Sequence, residues 1–431
     1  MKLLDKIQSN RATLTVMGMG YVGLPLALEF SKVFPKVHGF DPDQIKIKAL
    51  RQGRSYIRDI PPAAVRQGLI RGFRPVSDAK VLGASDVIVI CVPTPLNEYK
   101  TPDMAYIRAA MQTVLKQVRK QTLVVLESTT YPGSTDEEVI ACLETQKNFK
   151  LGRDFYAGFS PERIDPGNQK FMLKNTPKVI GGAEPQSQKL LQALYAKVCD
   201  VVVPVSHPRT AEMTKLLENI FRNVNIALIN EFALLCNRMD IDVWEVIEAA
   251  KTKPYGFMPF YPGPGLGGHC IPLDPFYLSH RAKKFGFITR FIELAGEVND
   301  SMPSFMVTKV TYALNSVSRS VRGSKILVLG VAYKKDVNDA RETSARPIMA
   351  GLLKKGARVF YADPYIARFS VAGQSLRSVS TRGLNYAGFD LVLVHTHHSG
   401  MDYEKLYRSK TLIVDTRNVF KGRKRRGLFR L

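Results

Sequence analysis

The chain has 431 residues, of which 45% are hydrophobic, so it can bury a large core, and a chain of this length predicts about three domains. Its 62 lysines and arginines against 38 acidic residues give a formal net charge of +24, which suits an anionic partner such as a phosphorylated small molecule, a nucleic acid or a membrane surface. The start MKLLDKIQSNRATLTVMGMG lacks the apolar core of a secretory signal, and the longest apolar runs have the length of a strand, which argues against export and against a membrane span.

Cysteine usage and the spread of charge narrow these classes further. The cysteines are widely spaced and odd in number, which fits neither a disulfide framework nor a zinc site, so we predict a reducing cytoplasm and no metal. Basic residues run along the chain without interleaved aromatic residues, so no specific nucleic-acid interaction is predicted. Only the tail KGRKRRGLFRL concentrates charge, and we expect a disordered end there, with tethering to a membrane or polymer as the alternative.

The first predicted unit carries a glycine triplet between a strand and a helix. An apolar strand at 12–17 is followed by Gly18, Gly20 and Gly23 in G-x-G-x-x-G order and then by a helix rich in leucine and alanine. A second strand, KVHGF, ends at Asp41. The glycines allow the backbone to approach a pyrophosphate at the helix N-terminus, and the acid would bind ribose hydroxyls while repelling a 2′-phosphate, which predicts NAD rather than NADP.

Two further strands lead into turns that contain threonine. The run at 87–92 precedes VPTP with Thr94, and the run at 123–126 precedes ESTTYPG with Thr129. Loops that leave the carboxyl ends of parallel strands line the ligand crevice, so both threonines are candidates for cofactor or substrate contact. Capping of the next helix is the alternative.

The middle of the chain is predicted to be helical. From Pro208 the segment TAEMTKLLENIFRNVNIALINEFALLCNRM is amphipathic and contains neither proline nor glycine, which predicts a long helix joining two lobes and a candidate dimer surface. Lys215 and Asn219 share one face of this helix, although such a lysine is often only a solvated neighbour. The later stretch PGPGLGGHCIPLDP predicts a rigid turning loop, in which Cys270 is a structural thiol or a functional one.

A second α/β unit begins near Ser324. Strand KILVLGVAY, a helix at about 343–355 and strands ARVFYADP, LVLVH and TLIVD repeat the first architecture, but only Gly330 stands where the triplet would be. The turn instead offers the cations Lys334, Lys335 and Arg341, which suit phosphate groups. We therefore predict an α/β protein with two Rossmann-like doubly wound domains joined by a central long-helix region, with boundaries at 1–207, 208–310 and 311–431.

The order of several motifs resembles the UDP-glucose/GDP-mannose dehydrogenase family. These motifs are GMGYVG, VPTP, ESTTYPG, SPER, AEMTKLLEN, GGHCIPLDP and AYKKDVNDARE, and the resemblance covers about residues 12–420. SPERIDPGN, PKVIGG and RFIELAGEVN are similar to the branch that acts on UDP-N-acetylhexosamines. The resemblance implies an NAD-dependent four-electron oxidation of the sugar C6 alcohol to a uronic acid, with UDP-N-acetylglucosamine the expected substrate and surface polysaccharide the expected destination.

The resemblance also implies roles for individual residues. Cys270 would form a thiohemiacetal and then a thioester, Lys215 and Asn219 would stabilise the developing oxyanion, and Asp274 would orient water. Thr129 and Glu162 match family positions near the water and the reacting carbon. The implied cofactor contacts are Gly18, Gly20, Tyr21, Val22, Gly23, Asp41, Thr94, Thr129 and Arg341. The implied substrate contacts are Glu162, Arg163, Lys215, Asn219, Tyr261, Gly267 and Lys334. His269 is rejected as a base for Cys270, because other family members carry serine there.

Several alternatives remain open. KPYGFMPFY replaces a region in which the UDP-glucose branch usually carries an arginine, which argues against UDP-glucose, although UDP-glucose and UDP-N-acetylmannosamine remain alternatives. A two-electron hydroxyacid or alcohol dehydrogenase would use the same cofactor fold without needing Cys270. A non-catalytic basic protein that binds NAD or nucleic acid is the alternative of a different class. A homodimer or higher homo-oligomer is expected.

Overall fold

A computed structural model describes residues 1–97, 101–164, 168, 170–268 and 270–431. The chain forms two compact units. The first contains Met1–Glu218 and Phe276–Phe287, and the second contains Asn219–Pro275 and Ile288–Leu431. The division into 1–207, 208–310 and 311–431 stays a prediction.

The first unit is built on an eight-stranded sheet with strand order β3-β2-β1-β4-β5-β6-β7-β8. Every neighbouring pair is parallel except β6 and β7. Because β1 lies between β2 and β4, the strand order reverses beside it, which is where doubly wound sheets bind ligands. The strands are β1 (Leu14–Met17), β2 (Val37–Phe40), β3 (Phe73–Val76), β4 (Val87–Ile90), β5 (Thr122–Leu126), β6 (Phe155–Phe159), β7 (Lys178–Gly182) and β8 (Val202–Val205).

Helices cover this sheet, and its central strands are accordingly buried along their whole length. Every residue of β1, β4 and β5 is buried, as expected for parallel strands packed on both faces. The helices are α1 (Leu3–Gln8), α2 (Gly23–Phe30), α3 (Gln44–Arg51), α4 (Pro62–Arg71), α5 (Ala105–Gln117), α6 (Ala141–Lys147) and α7 (Pro185–Tyr195). A π-helical turn at Thr135–Ile140 leads into α6.

Two helices contribute residues to both units. The long helix α8 (Pro208–Met239) has the bounds that its sequence pattern predicts, and the division between the units falls after Glu218. Helix α10 (Asp274–Lys283) likewise begins in the second unit and continues into the first. Among the described residues, no helix has both the length and the apolar character needed to cross a membrane.

The second unit contains a parallel five-stranded sheet with strand order β10-β9-β13-β14-β15 and an antiparallel hairpin of β11 and β12. The strands are β9 (Lys325–Leu329), β10 (Arg358–Ala362), β11 (Arg368–Val371), β12 (Gln374–Arg377), β13 (Leu391–Val394), β14 (Leu412–Asp415) and β15 (Leu428–Arg430). The helices that lie wholly in this unit are α9 (Val243–Ala250), α11 (Arg290–Asn315), α12 (Ala345–Lys354) and α13 (Tyr403–Arg408). The predicted α/β class with two Rossmann-like sheets and a central helical region is confirmed.

The predicted disorder of the basic tail is wrong. Residues Leu428–Arg430 form β15, which extends the second sheet by pairing with β14, and Leu431 is buried. The reason is the apolar content of LFRL: the ring of Phe429 packs edge-on against Tyr312, with centroids 6.0 Å apart. The guanidinium of Arg425 also donates to the carbonyls of Tyr407, Ser409 and Thr411, which fixes the approach to the strand.

Candidate functional site

The glycine-rich loop after β1 is closely packed on one side and open on the other. Gly18 has φ 91°, and a β-carbon on it or on Gly23 would lie under 3.0 Å from a backbone carbonyl oxygen. A β-carbon on Gly20 would meet nothing within 4 Å. Helix α2 begins at Gly23, so its unpaired amides come directly after the open side. The loop therefore has the form of a phosphate cradle, and Tyr21 and Val22 are part of it.

Asp41 holds this loop from the end of β2. Its Oδ2 accepts a hydrogen bond from the backbone N–H of Met19 (2.9 Å) and lies 3.2 Å from the ammonium of Lys46. Its Oδ1 accepts from the N–H of Asp43 (2.9 Å), which leaves that oxygen with a second lone pair. The buried carboxylate thus both shapes the loop and keeps the capacity to accept from a ribose hydroxyl.

Thr94 and Thr129 follow β4 and β5, at the same edge of the sheet as the glycine loop. The carbonyl of Thr94 accepts a hydrogen bond from the hydroxyl of Tyr277 (2.8 Å), a residue of α10. Thr129 is half-buried, and the following residue, Thr130, is fully buried. Parallel strands end at one edge, so the prediction that these turns share an edge with the glycine loop follows from the topology.

Glu162 and Lys215 are brought together through the backbone. The ammonium of Lys215 donates to the carbonyl oxygen of Glu162 at 2.6 Å. The carboxylate of Glu162 accepts from the N–H groups of Arg163 and Ile164, at 2.8 and 2.6 Å. Arg163 in turn forms an ion pair with Glu218 (2.7 Å) and donates to the carbonyl of Pro177. The predicted substrate contact Arg163 therefore ties the Glu162 loop to α8.

A buried ionic cluster lies behind Glu162, and sequence reasoning missed it. The ammonium of Lys178 is 3.0 Å from Glu127 and 3.6 Å from Glu162, and the hydroxyl of Tyr195 donates to Glu127. Because β7 runs antiparallel to β6, its first residue, Lys178, reaches the edge at which β5 and β6 end. Burial disfavours a charged Lys178, but the two carboxylates outweigh that effect and its pKa is raised. The one sequence signal was a lysine at the start of the apolar run VIGG.

A second buried acid, Glu212, fixes the start of α8. Its carboxylate accepts from the N–H of Gly133 (2.6 Å), from both the N–H and the hydroxyl of Thr135 (2.9 and 2.6 Å) and from the hydroxyl of Ser134 (3.0 Å). Burial raises the pKa of Glu212 even though four donors favour its charged form. This acid joins the loop after β5 to the helix turn that precedes Lys215.

In the second unit, Asn219, Asp274 and the backbone of Cys270 form one hydrogen-bonded group. The side-chain amide of Asn219 donates to Oδ2 of Asp274, which is buried at the first turn of α10. The N–H of Asp274 donates to the carbonyl of Cys270 (2.8 Å), and the amide of Asn223 donates to the carbonyl of Ile271 (3.1 Å). Cys270 is half-buried. The described part of 251–273 belongs to no helix or strand, which confirms the predicted loop as far as Leu273, whereas Asp274 and Pro275 begin α10. His269 lies outside the described residues.

The remaining substrate candidates lie along this loop and after β9. Tyr261 stacks on Trp244, with ring centroids 6.0 Å apart, and donates to Glu248 (3.0 Å). A β-carbon on Gly267 would lie under 3.0 Å from Tyr333, so this glycine permits close packing. Lys334 is half-buried in the turn after β9, and Arg341 forms a bidentate ion pair with Asp339.

Comparisons with known proteins match these parts of the chain. Residues 12–199, 209–301 and 327–422 match, in turn, the NAD binding, central and UDP binding domains of the UDP-glucose/GDP-mannose dehydrogenase family. A UDP-N-acetyl-D-glucosamine 6-dehydrogenase from Pseudomonas aeruginosa is 35% identical over 93% of this chain and 95% of its own length. An NDP-N-acetyl-D-galactosaminuronic acid dehydrogenase from Ralstonia nicotianae is 31% identical, covering 96% and 97%. The solved UDP-D-ManNAc dehydrogenase from Pyrococcus horikoshii superposes with a TM-score of 0.88 at 31% identity, covering 97% and 98%.

Proposed function

Because the chain belongs to the UDP-glucose/GDP-mannose dehydrogenase family, and is therefore an NAD-dependent nucleotide-sugar 6-dehydrogenase, we propose that it oxidises a UDP-N-acetylhexosamine through a covalent intermediate on Cys270. The proposed substrate is UDP-N-acetyl-D-glucosamine, and the product is the corresponding uronic acid. The observation that carries the proposal is the group formed by Asn219, Asp274 and the Cys270 backbone, which joins an amide and a buried carboxylate to the loop that carries the half-buried Cys270.

The glycine loop and Asp41 fit NAD. The open side of Gly20, the amides at the start of α2 and the remaining lone pair of Asp41 match a pyrophosphate and a ribose hydroxyl. Bound NAD supplies the acceptor for the hydride that leaves the sugar carbon in each of two oxidations. We propose Gly18, Gly20, Tyr21, Val22, Gly23, Asp41, Thr94, Thr129 and Arg341 as the residues that hold it.

The thiol is needed because an aldehyde has no tetrahedral carbon from which a second hydride can leave. Attack of the Cys270 sulfur on the aldehyde carbon forms a C–S bond and a thiohemiacetal oxygen, which restores a tetrahedral carbon that carries hydrogen. Loss of that hydride leaves a thioester, and attack by water breaks the C–S bond, releasing the carboxylate and the free thiol. Every electron removed from the sugar therefore leaves as one of two hydrides.

The contacts of the other residues support specific roles. Lys215 is held by the Glu162 carbonyl, which orients its ammonium as a donor to a developing oxyanion, and Asn219 is held by Asp274 on the same side of α8, one turn further along. Asp274 is an acceptor suited to orienting the water that cleaves the thioester. Thr129 is proposed to contact this water. Arg163, Tyr261, Gly267 and Lys334 are proposed to contact the substrate.

Cys270→Ser tests the covalent route, with Cys142→Ser as the matched control on α6. We expect two NADH per acid formed by the native enzyme, no steady turnover by Cys270→Ser and undiminished turnover by Cys142→Ser. In Asp274→Asn, hydrolysis should slow enough for mass spectrometry to detect an acyl adduct on Cys270. Full activity of Cys270→Ser, or one NADH per turnover, would favour the two-electron alternative.

The choice of sugar rests on the 35% identity to a UDP-N-acetyl-D-glucosamine 6-dehydrogenase. The high TM-score to a UDP-D-ManNAc dehydrogenase makes the mannosamine epimer the second candidate. Initial rates of NADH formation with UDP-N-acetylglucosamine, its galactosamine and mannosamine counterparts and UDP-glucose decide between them. We expect the highest kcat/KM with the glucosamine compound, and a preference for UDP-glucose would overturn the assignment to this branch.

We also propose a homodimer formed through α8. One face of this helix exposes large apolar side chains at the helical spacing of a packing stripe: Met213, Leu217, Phe221, Leu228, Phe232, Leu235 and Met239. Phe232→Asp together with Leu235→Asp should convert the particle to a monomer in sedimentation velocity. The matched control Arg222→Asp, on the same helix but outside the stripe, should leave the oligomer intact, and an unchanged particle in the double variant would contradict the proposal.

A further inference from the structure

A cavity of about 660 Å³ lies in the second unit, and none of the residues that line it is among those proposed to bind NAD or the UDP-sugar. Its walls come from the C-terminal end of α8, from α11 and from the tail segment that includes β15. The volume falls within the roughly 300–1,000 Å³ of small-molecule sites. It shares no lining residue with the glycine loop, with the Cys270 loop or with the turn after β9.

The cavity contains a lysine, Lys309, that forms no ion pair with any residue the structure describes. The ammonium of Lys309, on α11, donates to the side-chain oxygen of Asn237 at 2.6 Å. Within the described part of the chain, no carboxylate oxygen lies within 4.0 Å of it. Burial lowers the pKa of Lys309 to about 8. A partly desolvated cation is stabilised by an anion, so a ligand with negative charge is the natural complement.

Some of the other cations that line the cavity form ion pairs with described residues and Lys424 does not. Arg430 is 3.1 Å from Asp242, and Arg423 is 2.6 Å from Glu404, so both are ion-paired. Lys424 is exposed at the wall, and among the described residues no carboxylate lies within 4.0 Å of its ammonium. Lys309 and Lys424, which both line the cavity, therefore provide positive charge for an anionic group such as a phosphate.

Aromatic rings form another part of the wall. Phe305 precedes Lys309 by one helical turn, and the Lys309 ammonium lies 5.7 Å from the centre of its ring. Tyr312 and Phe429, which also line the cavity, pack edge to face. Exposed ring faces bind flat apolar bodies by stacking, and a carboxylate such as Asp240 accepts from the N–H or hydroxyl groups of a ligand.

We propose that this cavity binds a phosphorylated ligand with a flat ring, of the nucleoside phosphate class, with Lys309 as the cation that faces the phosphate. This site shares no residue with the proposed substrate and NAD sites, so the proposal can be tested independently of them.

Pyridoxal 5′-phosphate tests the proposal, because it carries a flat ring, a phosphate and an aldehyde. At pH 8 a lysine with a pKa near 8 is about half neutral, against roughly 0.4% for a lysine at the usual 10.4. The neutral amine adds to the aldehyde and expels water to give an imine, and borohydride then reduces the C=N bond to a stable amine. Peptide mass spectrometry locates the label.

We expect Lys309 to be labelled at least tenfold faster than Lys354, an exposed lysine on α12, and Lys309→Met to lose that label while Lys354→Met keeps it. Millimolar ATP or UDP should protect Lys309, and inorganic phosphate should protect it less. The label reports on Lys309 alone, so occupation of other nucleotide sites does not interfere. Equal labelling of the two lysines, or no protection by any of the three anions, would overturn the proposal, and equal protection by inorganic phosphate would overturn the role of the ring.

Discussion

The loop after β1 in the first unit and the loop after β9 in the second share a backbone arrangement. Each begins with a left-handed glycine, Gly18 at φ 91° and Gly330 at φ 75°. In each, the acid at the end of the second strand accepts from a loop amide: Asp41 from Met19 at 2.9 Å, and Asp363 from Val331 at 2.7 Å. The shared strand-turn geometry therefore does not decide what either loop binds.

The loops differ in the segment that connects the glycine to the next helix. After β1, helix α2 begins at Gly23, so its N-terminal amides are close to the turn. After β9, helix α12 begins only at Ala345, and the longer loop carries Lys334 and Lys335. Amides near a short turn suit the close approach of a dinucleotide pyrophosphate, whereas side-chain cations on a long turn reach a phosphate from further away. The two loops therefore differ in length and in side-chain charge rather than in their strand-turn geometry.

The largest expected effect comes from the two loop glycines. Gly18→Ala and Gly330→Ala each force a β-carbon under 3.0 Å from a carbonyl oxygen in a strained backbone conformation. Each should lower the free energy of unfolding by about 3 kcal/mol, measured by urea denaturation. Gly373→Ala is the control, because it has a φ of 75° but no neighbour within 4 Å, and should cost about 1 kcal/mol. If Gly330→Ala lowers the free energy of unfolding no more than Gly373→Ala does, the close contact with the carbonyl oxygen is not destabilising and the prediction is wrong.

The next prediction concerns pH, because different side chains support the two loops. Gly18 packs on Cys91, whose pKa is raised well above its usual value by burial, so this thiol stays neutral. Gly330 is held by His395, whose ring nitrogens contact its carbonyl (3.1 Å) and the hydroxyl of Ser344 (2.8 Å). Burial lowers the pKa of His395 to about 3. Of these two supporting groups, only His395 must stay neutral against acid.

The sign of the pH effect is set by proton binding. Between pH 6.5 and about 3 the unfolded state binds a proton at His395 that the folded state does not, so stability falls as the pH falls through this window. Lowering the pH from 7 to 5 should cost the second unit about 2 kcal/mol through this group. Fluorescence of the single tryptophan, Trp244, reports on that unit. His395→Gln should have a lower free energy of unfolding than the native protein at pH 7, but this free energy should fall less between pH 7 and pH 5. If it falls with pH as steeply as in the native protein, His395 is not the cause of the pH dependence.

Local patterns predicted the features that the two loops share. Glycine spacing, strand periodicity and the acid at a strand end were enough to identify the loop around Gly18, and an uninterrupted amphipathic pattern predicted α8. The ion pair of Lys178 with Glu127 joins residues 51 positions apart, and the four bonds of Glu212 depend on how α8 meets a distant turn. Such pairings have no local signature, because each partner alone resembles an ordinary surface charge.

For the C-terminal tail, the local pattern led to a wrong prediction. A run of charge dominates KGRKRRGLFRL, but the few apolar residues at its end complete a sheet edge, and tertiary packing outweighs composition there. The contacts of Arg425 with three carbonyls could not be read from the sequence, since those carbonyls belong to the segment before β14.

A smaller effect is expected from the acids that hold the loops. Asp41→Asn and Asp363→Asn each weaken a charge-assisted bond to a backbone amide and should cost about 1–2 kcal/mol in stability. Asp363→Asn should cost more, because it also disturbs the 3.1 Å contact with His398. In steady-state kinetics, Asp41→Asn should raise the KM for NAD about tenfold. Asp363→Asn should likewise raise the KM for the UDP-sugar about tenfold. Each variant serves as the other's control, and a shift of both KM values in either variant would show that the loops are not independent.

The smallest change in stability is expected for Gly20→Ala. The position two residues after the loop glycine is Gly20 in the first unit and the buried Ala332 in the second. A β-carbon on Gly20 meets nothing within 4 Å, so the variant should unfold within about 0.5 kcal/mol of the native protein. The same methyl group would enter the space left for a pyrophosphate, so the KM for NAD should rise while the KM for the UDP-sugar does not change. If Gly20→Ala binds NAD normally, the pyrophosphate does not approach the loop on this side, and the open face of the glycine has another explanation.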